Sequence, residues 1–118
     1  MTAPTRAATV RLRELHLKIL AVALDDRAGH VGSMGAFDAS SFDPLIKHGL
    51  LERLPGDLGW DRKTRLTKAG RRRIADEITR AQRHDPVLFL RLCDYRRMYA
   101  AWLVRRAERT ASFKAVAA

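Results

Sequence analysis

Cysteine is nearly absent from this sequence. The one residue, Cys93, cannot close an intrachain disulfide, so a disulfide-built scaffold is excluded and secretion is not implied. Long apolar runs are absent too. Nothing approaches the roughly 20 residues of a membrane-spanning helix. Ile19–Leu24 is too short and too far along the chain for the apolar core of a signal peptide. Acidic residues are scarce against basic ones, 13 Asp/Glu against 23 Lys/Arg, for a net charge of +10. No internal repeat is visible. The class expected from these absences is a cytoplasmic chain that does not enter a membrane.

What is present suffices for one domain with one core: 118 residues, 47% hydrophobic and 31% charged. Residues 1–8 and 111–118, rich in small side chains, are expected to be flexible tails. The charge is unevenly placed. Residues 1–61 hold 7 Lys/Arg against 8 Asp/Glu, and residues 62–118 hold 16 against 5. Such asymmetry points to a polyanion or an acidic surface as partner. The competing explanation is compositional: Arg outnumbers Lys 18 to 5, and an arginine-rich proteome raises the pI without any such partner.

Periodicity predicts a helix over 9–25, with Leu12, Leu15, Ile19 and Ala23 on one face and Thr9 as cap. Gly29, Gly32 and Gly35 break any pattern over 26–40, which is expected to be a loop holding at most a very short strand. Its "GHVGSMG" lacks the Gly-Lys-Ser/Thr ending of a phosphate loop. Ser41 then caps a short helix with Pro44 in its first turn, and Gly49 stops it. "LLERL" and "WDRKTRL" are two strands around the turn cluster "PGDLG", with Trp60 and Leu66 inward and Arg62, Lys63 and Arg65 mostly outward. Thr67 caps a helix over about 68–83. Asp85 and Pro86 open the last one, over about 86–110.

The order helix, short helix, Gly49-Leu50-Leu51-Glu52-Arg53, hairpin, Leu66-Thr67-Lys68-Ala69-Gly70 resembles a winged helix-turn-helix domain. It is most similar to the MarR and PadR groups of bacterial transcription regulators. The matching positions are Leu45, Gly49, Leu50, Leu51 and Arg53, then Leu66, Thr67 and Gly70. The fold expected is mainly α with a small β-hairpin, the winged helix over 9–83 and a C-terminal helix over 84–110. Three departures stand beside the match. Residues 28–40 offer only a glycine-broken first helix of the pair, the recognition helix is short and carries Asp43, and the wing is short.

The resemblance implies double-stranded DNA as partner, with the recognition helix in the major groove. Ser40, Ser41, Lys47 and His48 are its polar candidates. Arg62, Lys63 and Arg65 would approach from the wing, and Arg71 and Arg72 from the helix after it. The plainer alternatives are that Arg71–Arg73 are only a solvated face and that His48 is a cation favoured at a helix C-terminus. Leu88, Leu92, Tyr95, Tyr99 and Trp102 step by 4, 3, 4, 3 along the last helix. That seam is expected to form a homodimer interface, unless it folds back on its own domain. Its arginine neighbours also permit stacking on single-stranded nucleic acid.

No catalytic, metal or cofactor group is expected. His16, His30, His48 and His84 are far apart, and none shares metal-ligand spacing with Cys93, itself on an apolar side. Ser33 and Ser41 have no base-orienting neighbour. Asp25/Asp26 and Asp76/Glu77 are adjacent pairs, whose members point to different faces of a helix. The function that the resemblance implies is a transcriptional regulator, nucleoid-associated and of unknown effector. The alternatives are a module docking an acidic protein and a basic winged-helix RNA-binding protein.

Overall fold

The computed structural model describes residues 6–117. A four-residue helix, α1 (Arg6–Thr9), precedes α2 (Glu14–Asp25) and the three-residue strand β1 (His30–Gly32). A 3-10 turn, Ala39–Phe42, leads into α3 (Asp43–Lys47). Strands β2 (Leu51–Arg53) and β3 (Lys63–Leu66) enclose the loop 54–62, and α4 (Lys68–His84) and α5 (Pro86–Ala117) follow. The protein is mainly helical, with one three-stranded antiparallel sheet in the order β1-β3-β2. The short strand foreseen in the glycine-rich loop makes the hairpin three-stranded, pairing Val31 with Thr64.

The expected first helix is two helices. Thr9 ends α1 and Arg13 precedes α2, whose Arg13 amide is taken by the Nδ1 of His16 at 3.2 Å. Arg73 on α4 explains the break. Its guanidinium donates to the carbonyls of Ala7 (2.9 Å) and Val10 (2.7 Å) and to Glu77. The last carbonyls of α1 are thus satisfied by another element rather than by continuing the helix. Of the expected N-terminal tail, residues 1–5 lie outside the described residues. The expected C-terminal tail is helical through Ala117, with residue 118 outside the description.

The core lies between α2, the sheet, α3 and the start of α5, around Ile19, Leu20, Phe42, Leu45, Leu50, Ile74 and Leu92, each at most 1% exposed. Thr64 is buried with them, its hydroxyl donating to the Val31 carbonyl. The seam of α5 is partly covered from within the chain, with Leu88, Tyr95, Tyr99 and Trp102 left half-buried. Leu92 is core, and Leu88, Tyr95 and Tyr99 pack against it. Phe37 lies against both Tyr95 and Tyr99, and Tyr99 against Trp102. Burial raises the pKa of both tyrosines. Arg96 is tied to Asp25 at the end of α2 by a two-point ion pair, which raises the pKa of the guanidinium. From Ala107 to Val116 every side chain of α5 is exposed, so the end of the helix projects from the body. A helix of 32 residues is about 48 Å long, which accounts for the 61 Å long axis of the molecule. No helix among the described residues is long and apolar enough to cross a membrane.

Candidate nucleic-acid interface

The ends of α3 and α4 meet at one joint. Gly49 follows α3 with φ +75°, a left-handed conformation that carries the chain from helix to β2. The Thr67 hydroxyl donates to the Gly49 carbonyl at 2.5 Å and accepts the Gly70 amide at 2.9 Å, capping α4 as it clamps the turn. The Thr67 amide donates to Leu50 at 3.1 Å. Gly70 has no alternative here, because a Cβ on it would lie 1.9 Å from the Leu50 oxygen. The Gly49-Leu50 and Leu66-Thr67-x-x-Gly70 motifs are therefore two halves of one contact.

Around this joint stand the exposed cations Lys47, Lys68, Arg71 and Arg72, and Lys63 stands on β3. None of the five has a carboxylate partner among the described residues. Lys68 was not foreseen as a site residue, although its place directly after the Thr67 cap is the signal that marks it. Ser40 is exposed and Ser41 half-buried. Asp38, not Ser41, caps this segment, its side chain accepting the Ser40 amide. His48 closes α3 half-buried, with Nδ1 buried and without a hydrogen-bond partner.

Other cations of the β2–β3 hairpin are engaged. Arg62 was expected to point outward, but it is 7% exposed. Its Nε meets Asp57 at 3.0 Å and its Nη1 meets Asp43 at 2.8 Å. Period 2 from the inward Leu66 places Thr64 and Arg62 inward too. A buried guanidinium requires a carboxylate, which Asp57 supplies. Arg65 is exposed but paired with Glu52, its cross-strand neighbour. Arg62, through Nη1, also pairs Asp43, the acidic residue on α3. Arg73, the third of the arginine run, is structural, as its bonds to α1 show.

Asp57 is the hub of the β2–β3 loop. Its side chain is 1% exposed and accepts from the Lys63 amide at 2.7 Å, Arg53 at 2.8 Å and Arg62 at 3.0 Å. Burial pushes its pKa up, but the Lys63 amide and the two guanidinium groups outweigh burial and hold it below the usual carboxylate value.

Trp60 is the second correction. Expected to be inward, it is 77% exposed. The strand begins only at Lys63, and the turn cluster extends two residues further than the "PGDLG" reading allowed. Leu58 and Asp61 exchange amide-to-carbonyl bonds in both directions, at 2.9 and 3.1 Å, which leaves Gly59 and Trp60 as the tip.

The helix needed before a recognition helix is missing. Residues 34–37 form a turn, and only the 3-10 segment precedes α3, itself five residues long. Among the described residues no group of three or more His, Cys, Asp or Glu side chains could hold a metal ion. No family model, curated protein or solved structure matches the chain.

Proposed function

We propose that the chain is a winged-helix protein that binds duplex DNA, most concretely a transcriptional regulator. The observation that supports this best is the joint between α3 and α4. It gathers Lys47, Lys68, Arg71 and Arg72, without carboxylate partners, at the end of the element that would enter the groove. The resemblance to MarR and PadR regulators, carried by Leu45, Gly49, Leu50, Leu51, Arg53, Leu66, Thr67 and Gly70, supports the same reading. The missing partner helix shortens the surface that can meet base edges. Affinity then rests mainly on phosphates, and sequence discrimination is modest.

In this reading Arg62 is a wing support rather than a contact, and Arg65 contributes only after releasing Glu52. A homodimer would use the projecting end of α5 from Leu103 onward, because Leu88, Leu92, Tyr95 and Tyr99 are occupied within the chain and Trp102 packs on Tyr99. The deciding experiment is fluorescence anisotropy with labelled random duplex, from low to physiological salt, beside a structured RNA of equal charge. Binding that weakens with salt, prefers the duplex and is lost in the Lys47→Ala/Arg71→Ala double variant supports the reading. No duplex binding at low salt refutes it in favour of an acidic protein partner. Preference for the RNA refutes it in favour of RNA binding.

A further inference from the structure

An indole at the tip of a small rigid loop is an expensive side chain to leave in water. At 77% exposure Trp60 is the most exposed aromatic ring among the described residues; Phe113, at 75%, lies on the projecting end of α5. The loop that carries Trp60 has little slack. Leu54–Asp57 is a tight turn, closed by the Asp57 amide on the Leu54 carbonyl at 3.0 Å, with Pro55 and then Gly56 at φ +88° in its centre. Leu58–Asp61 is a second tight turn directly after it. Asp57 fastens both to the start of β3, and Arg62 fastens the loop to Asp43 at the start of α3. The backbone that carries the indole is thus held in a set relation to α3.

Its surroundings decide what it is for. Leu58, 44% exposed, is the other large apolar side chain that the wing exposes. Two such residues are far from the apolar area of a protein-docking patch, several hundred Å2. Lys63 lies beside the loop, its Nζ 3.6 Å from where a Gly56 Cβ would be. Asp61, next to the indole, keeps its Oδ1 buried. A single planar ring on a rigid arm, with Lys63 against the neighbouring Gly56 turn and the unpaired cations of the α3–α4 joint beyond, has the form of a wedge that enters a base stack.

We infer that Trp60 is a base-stacking contact, and that the preferred ligand is duplex DNA with an unpaired or easily unstacked base under the wing. The inference rests on the duplex-binding reading and adds the substrate class to it. Stacking is paid back only where opening the step costs little, so flexible or damaged steps are favoured over a stiff matched duplex. It is also uncharged, so it adds affinity without changing how steeply binding falls with salt.

The test uses the full chain with Trp102→Phe, which leaves Trp60 as the sole tryptophan of the two. Two labelled duplexes of equal length are compared, one matched and one with a single unpaired base. Label anisotropy reports binding, and Trp60 emission reports stacking. The expected result is tighter binding of the interrupted duplex, with Trp60 emission quenched in step. Trp60→Ala should then weaken that complex about tenfold and leave the salt dependence unchanged, whereas Lys47→Ala should lower the slope by about one. Because Trp60 is exposed, Trp60→Ala should melt as the parent does, which separates loss of contact from loss of fold. Binding of both duplexes with unchanged emission and no effect of Trp60→Ala overturns this inference and leaves the duplex-binding reading standing. Failure to bind either duplex overturns both.

Discussion

A methyl group on Gly70 would sit 1.9 Å from the Leu50 oxygen, and one on Gly49 would meet nothing within 4 Å. The two glycines of the joint are therefore needed for different reasons, one for space and one for its positive φ. Gly70→Ala should cost about 3 kcal/mol or more by overpacking against backbone. Gly49→Ala should cost only about 1 kcal/mol, that of a left-handed alanine. Urea denaturation of both variants checks the difference, and equal losses would mean that α4 does not lean on β2 as described. Asp57 has a lowered pKa in the folded chain, so the unfolded chain takes up its proton first as the pH falls. Its contribution to stability is complete above the ordinary carboxylate range and is lost below about pH 4. Asp57→Asn should lower the melting temperature at neutral pH and flatten the decline in acid, measured by thermal melts across pH. Thr67, Gly49 and Gly70 were legible as a motif because each is the residue type its backbone position demands. Arg62 was legible by strand parity and was misplaced because its charge alone was considered.

Helix α2 begins on a histidine. His16 accepts the Arg13 amide through Nδ1, and burial, with Arg13 nearby, holds its pKa below the usual value. A protonated His16 cannot accept that bond. Its contribution is whole above about pH 6.5 and is lost as the pH falls below it, because the unfolded chain protonates first. His16→Gln should abolish this mild step between neutral and weakly acidic pH, as followed by helical circular dichroism during unfolding. At the other end, α5 projects beyond the body with Ala107–Val116 fully exposed. At concentrations low enough to keep the chain monomeric, ending it at Arg106 should remove helical signal without lowering the melting temperature, since this segment covers no core of its own chain. A large fall would show that the end of α5 is buried against another surface. The capped α4 and the start of the final helix were legible from Thr67, Asp85 and Pro86, and the short α3 from Pro44 and Gly49, whereas the Ser41 cap and the end of α5 were not. The break between α1 and α2 was not, because it depends on Arg73, more than sixty residues away in sequence.

At the level of the molecule, net charge overstates what can reach a phosphate. Arg53, Arg62, Arg65 and Arg73 are each held by a carboxylate. Lys47, Lys63, Lys68, Arg71 and Arg72 remain on the proposed face. If these five make the contacts, duplex affinity should fall with salt at a log–log slope of about −4 to −5. Arg62→Ala should leave that slope unchanged while loosening the wing, measured by anisotropy titrations at several salt concentrations. A slope near −10 would move the interface to the arginines of α5 instead. Sedimentation of the full chain and of the chain ended at Leu103 tests self-association, with a dimer expected only for the former.

Local chemistry in the sequence determined where elements start and stop: a threonine cap, a proline in a first turn, a glycine able to take a positive φ. It also determined the excess of positive charge and the period that puts Leu92 and Tyr95 on one face. Tertiary structure alone decided which charges are spent and which face is filled. Those outcomes depend on distant partners: Asp57 and Asp43 closing on Arg62, Phe37 covering Tyr95 and Tyr99, Arg73 ending α1. Pairing across such separations is set by three-dimensional packing, where a buried charge or an open aromatic seam costs far more than any local preference can supply.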